Sequence, residues 1–404
     1  MREYEEEYMK IIEPSYYKEF TCVGSNCSNS CCKDWRIIID KLSFEKYEKT
    51  NDEYSDYLKS SINSYSDKSE AAYGEFVLNK KGECPCLNEN NLCNIYINYG
   101  EDYLCNTCKV YPRNIEKYSN ELYGRYLALS CPEVVKYLIN NKEKLYFNLE
   151  DTQLNDFEIK NTKLNIENYD EDYLNFILET RSLFIDIIQF RDIPLWQRIA
   201  MINSATDQVQ EIIGCYNNWE GKLKKVEEAI VSTEYLELLE AFNNVDILKR
   251  VKFLKSFLEK KVNNNSYYNG LVNSIKYYIC NANDIGIDGI IKEELEFNIY
   301  FKKFEYVMEN YIVSLLFNNI PKVLNSNNIE AEIGIVMASY TAVMAQLFCI
   351  WDKHLEIKPI DFENVISNFT RITGHNQKEL YKLITELDKE GFGRYDLLSI
   401  IYKM

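Results

Sequence analysis

Cysteine is spread so unevenly along this chain that it constrains how the first third can fold. Of 13 cysteines in 404 residues, ten lie between Cys22 and Cys131, while Cys215, Cys280 and Cys349 are scattered over the rest. A buried free cysteine behaves as a small apolar side chain, which is account enough for the scattered three. It does not explain the spacing Cys22-x4-Cys27-x3-Cys31-Cys32, Cys84-x-Cys86-x6-Cys93, Cys105-x2-Cys108 and Cys131. Thiols crowded into one region resist deprotonation unless a cation offsets their charge, so a metal is the natural partner. Disulfides are the rival account, and they belong to oxidising compartments and small secreted domains. The opening residues, MREYEEEYMK, are acidic, with no basic segment leading into an apolar one. That pattern predicts no secretion signal and a cytoplasmic protein.

Spacing alone leaves the metal open between zinc and iron. Structural zinc prefers two tidy cysteine pairs, and only Cys105-x2-Cys108 has that form. The looser spacings and the all-sulfur donor set suit an iron–sulfur cluster equally well. Adjacent Cys31 and Cys32 do not easily point the same way. Cys84 and Cys86, two apart, share one face if the backbone is extended.

Composition bounds the remainder. Hydrophobic residues at 46% and charged residues at 27% are those of a globular chain. The length predicts two or three structural units. A formal charge of −17 argues against nucleic acid as a partner. No unbroken run of about 18 apolar residues is present, so no membrane span is expected. The fold class predicted is mainly α, with a cysteine-rich metal-binding domain of short strands over 1–145 and a helical domain over 165–404. In the first part, Arg36–Asp40 reads as a strand and 42–61 as a helix. Hairpins are expected at Phe76–Leu87, around Lys80-Lys81-Gly82, and at Glu116–Leu129, with a helix opening after Cys131-Pro132. In the second part, Phe304, Val307, Met308, Tyr311, Ile312, Leu315 and Leu316 form one helical stripe. Further helices are predicted at about 194–214, 219–242, 246–262, 265–281, 331–352, 360–370 and 376–389.

The cysteine-bearing stretches resemble the flagellin lysine-N-methylases. The matching segments are Tyr17–Trp35 (YKEFTCVGSNCSNSCCKDW), Cys84–Leu87 (CPCL), Leu92–Tyr96 (LCNIY), Leu104–Arg113 (LCNTCKVYPR) and Leu129–Glu133 (LSCPE). Part of this pattern is also similar to smaller zinc- or iron-chelating cysteine-cluster proteins. The likeness continues in Ile188–Arg191 (IQFR) with Pro194 and Arg198, in Glu309-Asn-Tyr311, and in Phe369–Asn376 (FTRITGHN). The resemblance implies transfer of a methyl group from S-adenosyl-L-methionine to lysine ε-amines of flagellin. It also implies a [4Fe-4S] cluster rather than zinc, with Cys22, Cys27, Cys31, Cys32, Cys84, Cys93, Cys105 and Cys108 as its candidate ligands. Cys86 departs from the family motif, which usually carries an apolar residue there, often Phe.

Lysine methylation by a sulfonium donor is a displacement that needs a deprotonated amine, in-line approach and a dry channel. It needs no redox step. The radical spacing Cys-x3-Cys-x2-Cys is absent, because Cys27-x3-Cys31 runs straight into Cys32. Glycine numbers only 14, and the one Gly-x-Gly, Gly391-Phe-Gly393, sits near the carboxyl end outside any strand–turn–helix unit, so no Rossmann-type turn is expected. His354 and His375 are too few and too distant in sequence for a dyad. Arg113 is a candidate donor to a carboxylate or a cluster sulfur, with a local salt bridge as the plain alternative. Trp35, next to the Cys31-Cys32 pair, is expected to shield the metal from water rather than to bind a ligand. A non-catalytic iron–sulfur or zinc protein that binds a partner, and an iron–sulfur redox protein, are the competing functional classes.

Overall fold

A computed structural model of the chain describes residues 9–154, 158, 159, 161, 162, 164, 166, 170–241, 249, 250, 252, 253, 256, 286, 288–374 and 377–400. Most of the expected helices at 246–262 and 265–281, together with Cys280 and His375, lie outside those residues. The described part is mainly helical, with short strands confined to the amino-terminal region.

Two small sheets organise that region. β1 (Met9–Pro14) lies at the heart of a four-stranded sheet, parallel to β6 (Leu122–Leu127) and antiparallel to β7 (Phe147–Thr152). β5 (Arg113–Lys117) pairs antiparallel with β6, as the hairpin expected at 116–129 requires. Tyr118 lies across Gly124 of β6, where any Cβ would collide with its ring. The second sheet has the order β2 (Ile38–Ile39), β4 (Ala72–Phe76), β3 (Ile62–Ser69). This corrects the hairpin expected at Phe76–Leu87: the strand ending at Phe76 pairs with Ile62–Ser69 instead. The Asn79–Gly82 turn does form, with Gly82 at φ +76° donating its N–H to Asn79 O at 2.9 Å. Beyond it, Cys84–Leu87 makes only isolated bridges and turns.

The helix expected over 42–61 is two helices, α1 (Lys41–Lys49) and α2 (Ser55–Ser60). Asp52 breaks it by accepting the N–H groups of Tyr54 and Ser55 on its own carboxylate, both at 3.0 Å. α3 (Asn94–Tyr99), α4 (Asn106–Val110) and α5 (Pro132–Asn140) complete this part, α5 with proline in its first turn as expected.

The helical body contains α6 (Glu171–Ile188), α7 (Leu195–Gly214), α8 (Trp219–Ile230) and α9 (Thr233–Ala241). After these come α10 (Glu305–Asn319), α11 (Val323–Ser326), α12 (Ile329–His354), α13 (Pro359–Gly374), α14 (Gln377–Lys389) and α15 (Arg394–Ser399). The segment expected as one helix at 219–242 is split into α8 and α9, where Ser232 Oγ accepts the Tyr235 N–H at 3.2 Å. One large core runs through these helices and takes in Tyr16, Tyr17, Phe20, Leu127 and the buried face of α5. Phe147 of β7 stacks on Phe317 of α10, centroids 4.2 Å apart, so the sheet lies directly on the helices.

α12 corrects the expectation about apolar length. An 18-residue window of it has a mean hydropathy of 1.9, enough to cross a membrane by length and composition. Ser339, Tyr340, Thr341 and Gln346 interrupt the run of strictly apolar residues and hide that average in the sequence. In the fold 94% of the window is buried against the protein itself, so α12 is the central core helix.

The motif residues of the carboxyl-terminal half are structural hubs. Buried Glu309 on α10 accepts from Arg191 at 2.8 Å and from Arg198 of α7 at 2.7 Å. Arg198, 1% exposed, also donates to Glu305 and to the Ile188 carbonyl. Next to Glu309, Asn310 donates to Leu138 O at 3.0 Å and Asn141 O at 2.7 Å, closing the end of α5. Glu309 therefore compensates two guanidinium groups, and its loss would leave buried Arg198 with Glu305 as its carboxylate partner. Glu309→Ala is expected to cost about 3–5 kcal/mol, read from urea or thermal unfolding; a loss below about 1 kcal/mol would mean water reaches the pair.

Glu332 on α12 is fully buried, and burial pushes its pKa up against the opposing hydrogen bond from Tyr381. A carboxyl with a raised folded-state pKa binds its proton more tightly when folded. Its contribution to stability is thus complete below the unfolded pKa and is lost as pH rises through the folded one. Glu332→Gln is expected to raise Tm at neutral pH and to flatten the fall in Tm between about pH 4 and neutrality. An unchanged Tm profile would contradict this.

Candidate functional site

The cysteines gather in two neighbourhoods. In the first, Cys84, Cys86 and Cys105 are buried with Ile37, Ile39 and Tyr47, and Cys32, Cys93 and Cys108 line the edge of the same small core. Local structure explains the arrangement. Cys105 is the residue before α4 and Cys108 lies in its first turn, which brings their Sγ atoms to 3.6 Å. Asp40 clamps that turn: one carboxylate oxygen accepts Ser43 N–H at 3.0 Å to cap α1, the other accepts Asn106 N–H at 2.9 Å. Cys84 N–H donates to Cys32 O at 2.7 Å, and Asn94 N–H donates to Cys86 O at 2.7 Å, tying the remaining loops together.

The second neighbourhood holds Cys22, Cys27 and Cys131, which sense one another electrostatically. Cys131 immediately precedes α5. Burial pushes its thiol up to about 11, while the backbone N–H groups of Val134 and Glu133 at the helix start pull it back.

Cys31 and Cys32 join the two groups. Cys32 senses the thiols of the first, including Cys84, Cys86, Cys93 and Cys108. Cys31 senses Cys131 and Cys22 of the second. The Cys31 thiol donates to Cys32, which raises Cys31 well above its ordinary value and lowers Cys32 to about 7 against its burial. Cys84 in the same way donates to Cys86 and holds it low, again against burial. Trp35 donates its indole N–H to Cys31 O and leans on Tyr111 at 5.3 Å, covering the vicinal pair.

The loop that carries this pair is fastened by Arg371 of α13, which is 4% exposed. Its guanidinium donates to Asn29 Oδ1 at 2.8 Å, Ser30 O at 3.1 Å, Asn29 O at 3.2 Å and Lys33 O at 3.4 Å. It also donates to Ser130 O at 3.2 Å, beside Cys131. Asn368, one turn earlier, accepts from Asn29 Nδ2 at 2.7 Å.

Of the eight candidate ligands, Cys32, Cys84, Cys93, Cys105 and Cys108 share the first neighbourhood, whereas Cys22, Cys27 and Cys31 face the second. Cys86, left out of the candidates, lies inside the first group at 1% exposure, and Cys131 is central to the second. Among the described residues no three Cys, His, Asp or Glu side chains are arranged to hold a metal ion. The donor chemistry still fits a soft metal, since six sulfurs share one small core and two of them are held toward the thiolate form. Arg113 donates to Phe20 O at 3.2 Å and lies 5.1 Å from the centre of the Phe20 ring. His354 is exposed in the last turn of α12.

Sequence reasoning passed over the polar residues between the sheet and the helices. Glu116 of β5, 2% exposed, accepts from Tyr126 at 3.2 Å and Tyr118 at 3.3 Å. Burial raises the phenols of Tyr118, Tyr126 and Tyr311, keeping them neutral hydrogen-bond donors. Their sequence signal is faint, a single acid in a strand among 33 tyrosines.

This is a mainly helical protein whose cysteine-rich amino-terminal region is fastened to a helical body through buried arginine contacts. Residues 181–401 match the model of the FliB lysine N-methylase C-terminal domain, and the chain belongs to that family. It is 33% identical over 136 residues to a flagellar biosynthetic protein FliU of Salmonella muenchen, covering 33% of this chain and 80% of the relative. It is 32% identical over 136 residues to a lysine-N-methylase of Salmonella typhimurium, and equally to one of Salmonella choleraesuis. Those two matches span 33% of this chain and 34% of each relative. No solved structure matches.

Arg371→Lys replaces a planar fork with a single ammonium and cannot reach the same five acceptors. It is expected to lower stability by about 2 kcal/mol and to speed amide exchange over residues 29–33 and 129–131 specifically. Unchanged exchange at both segments would show that the loops hold themselves.

Proposed function

We propose that the chain is an S-adenosylmethionine-dependent protein-lysine N-methyltransferase acting on flagellin, and that its cysteine region holds a [4Fe-4S] cluster. The observation that carries this reading is the contact made by Arg371. It lies within the span matched by the lysine N-methylase domain model, and it binds the backbone on both sides of the cysteine arrangement. The two regions therefore work as one unit. The names of the relatives, a flagellar biosynthetic protein and lysine-N-methylases, support this substrate class.

The cluster would be held by sulfurs drawn from Cys32, Cys84, Cys86, Cys93, Cys105 and Cys108, which share one core. When bound, S-adenosylmethionine supplies a sulfonium-bound methyl. In the transfer the lysine nitrogen forms a bond to that carbon, the S–CH3 pair stays on sulfur, and a proton leaves the amine. What the protein contributes to such a displacement is a dry, oriented site. The buried neutral tyrosines along Glu116 provide hydrogen bonds in a water-poor setting, and their raised pKa values suit them to orienting groups rather than to taking the proton.

Two measurements test this. Incubation with purified flagellin and methyl-labelled S-adenosylmethionine is expected to place label on lysine, and an unlabelled flagellin with the metal site intact would refute the assignment. Anaerobic purification is expected to yield iron with acid-labile sulfide; zinc without sulfide would replace the cluster by a structural metal site.

A further inference from the structure

A cavity of about 220 Å³ lies between the four-stranded sheet and the helical body. Its sheet wall carries Asn114, Glu116 and Tyr126, and its helical wall carries Tyr311, Asn318 and Lys322. Ser339 of α12 and Thr370 of α13 close one side. A space of this size within a core is ordinarily apolar, and polar groups are put there at a cost unless something answers them. Here apolar residues such as Leu129, Leu315, Ile335 and Phe369 share the lining with polar ones that bear both signs of charge.

The charged groups stand on opposite walls of the cavity. Glu116 accepts two tyrosine hydroxyls at 3.2 and 3.3 Å. Arg181, over the Tyr118 ring at 5.9 Å, supplies positive charge behind it. Lys322 donates to Asn319 Oδ1 at 2.7 Å, one bond from a group with three donors. The hydroxyls of Tyr311 and Thr370 are buried with no hydrogen bond of ordinary geometry, although Ser339 and Thr370 lie near enough to Tyr311 to offset part of the rise that burial causes in its pKa.

Size and charge narrow the occupant. The volume falls below the roughly 300–1,000 Å³ of sites that enclose a whole drug-sized ligand. It suits one end of such a ligand. A lone cation such as a lysine ammonium would be answered by Glu116 but repelled by Lys322, whereas a zwitterion satisfies both. Ser130 also lines the cavity and stands next to Cys131, so the pocket borders the cysteine region.

We propose that this cavity binds the head of an α-amino acid, its ammonium against Glu116 and its carboxylate against Lys322. On the methyltransferase reading, which this inference rests on for the choice of ligand, the head is that of S-adenosylmethionine, with the nucleoside lying outside the cavity. Tyr311 and Thr370 complete the cradle by donating to the carboxylate.

Titration calorimetry on the full chain tests this with S-adenosylhomocysteine, L-methionine and 5′-methylthioadenosine, which lacks the amino-acid head. Lys322→Met and Glu116→Gln are each expected to weaken S-adenosylhomocysteine about tenfold or more and to weaken L-methionine likewise, with 5′-methylthioadenosine unchanged. Should buried Glu116→Gln fail to fold, half-buried Lys322→Met decides alone. Wild-type affinity for S-adenosylhomocysteine in Lys322→Met overturns the assignment, as does an equal loss for 5′-methylthioadenosine, or a wild-type chain that binds neither amino-acid ligand. If methyl transfer proceeds while Lys322→Met binds normally, the cavity assignment fails and the methyltransferase reading stands. Lys322-dependent binding of L-methionine without S-adenosylhomocysteine binding leaves the cavity assigned and refutes the donor.

Discussion

A buried arginine holding backbone carbonyls is the constraint on which the rest of this protein depends. Arg371 sends its guanidinium from α13 into the loop Asn29–Lys33 and onto Ser130, so one side chain fixes the vicinal cysteines and the approach to Cys131 together. A loop of polar backbone cannot be buried without such partners, because each unpaired carbonyl in a core is costly. The helical body is therefore what allows the cysteine region to keep its form, and the cysteine region gives the buried charge its acceptors. Glu309 plays a matching part at the other end, where Arg191, Arg198 and the end of α5 meet through α10.

The vicinal pair sets the geometry of the sulfurs. Because Cys31 and Cys32 are adjacent, each serves a different neighbourhood, and the ten clustered cysteines divide around them. The first group sits in an apolar core clamped by Asp40; the second opens toward the surface at Cys22 and ends at the amino terminus of α5. The methyl transfer proposed above does not call for electron transfer, so a metal centre in the first group would act as scaffold or as anchor for the cofactor. The cavity that Ser130 helps to line gives that idea a location, since it borders the cysteine region and carries Glu116 and Lys322, the charges that a zwitterionic head requires.

Much of this was legible in the residues themselves. The clustering of cysteines, the helices from Phe304 onward, a hairpin within Glu116–Leu129 and the helix opening at Pro132 follow from spacing, periodicity and turn chemistry, which are local properties of the chain. The motif residues Arg198, Glu309 and Arg371 were visible as letters without roles, because a buried charge is recognised by its partner, and those partners lie more than a hundred positions away. Where local reading went astray, a competing contact explains it. Asp52 captured two backbone N–H groups and split a helix, and Phe76 found its pairing strand upstream rather than across the turn. The apolar weight of α12 was masked by four polar residues that the core accommodates.

By itself the sequence determined that sulfur would be concentrated in the first third and that helices would make up the remainder. Both follow from short-range spacing, which survives without any knowledge of distant contacts. Only the tertiary structure decided which cysteines face one another, that Arg371 unites them with the helical body, and that Glu116 and Lys322 look into one cavity. Those facts depend on residues brought together across the whole chain, and the energy of a buried charge or thiol is set by what surrounds it rather than by its neighbours in sequence.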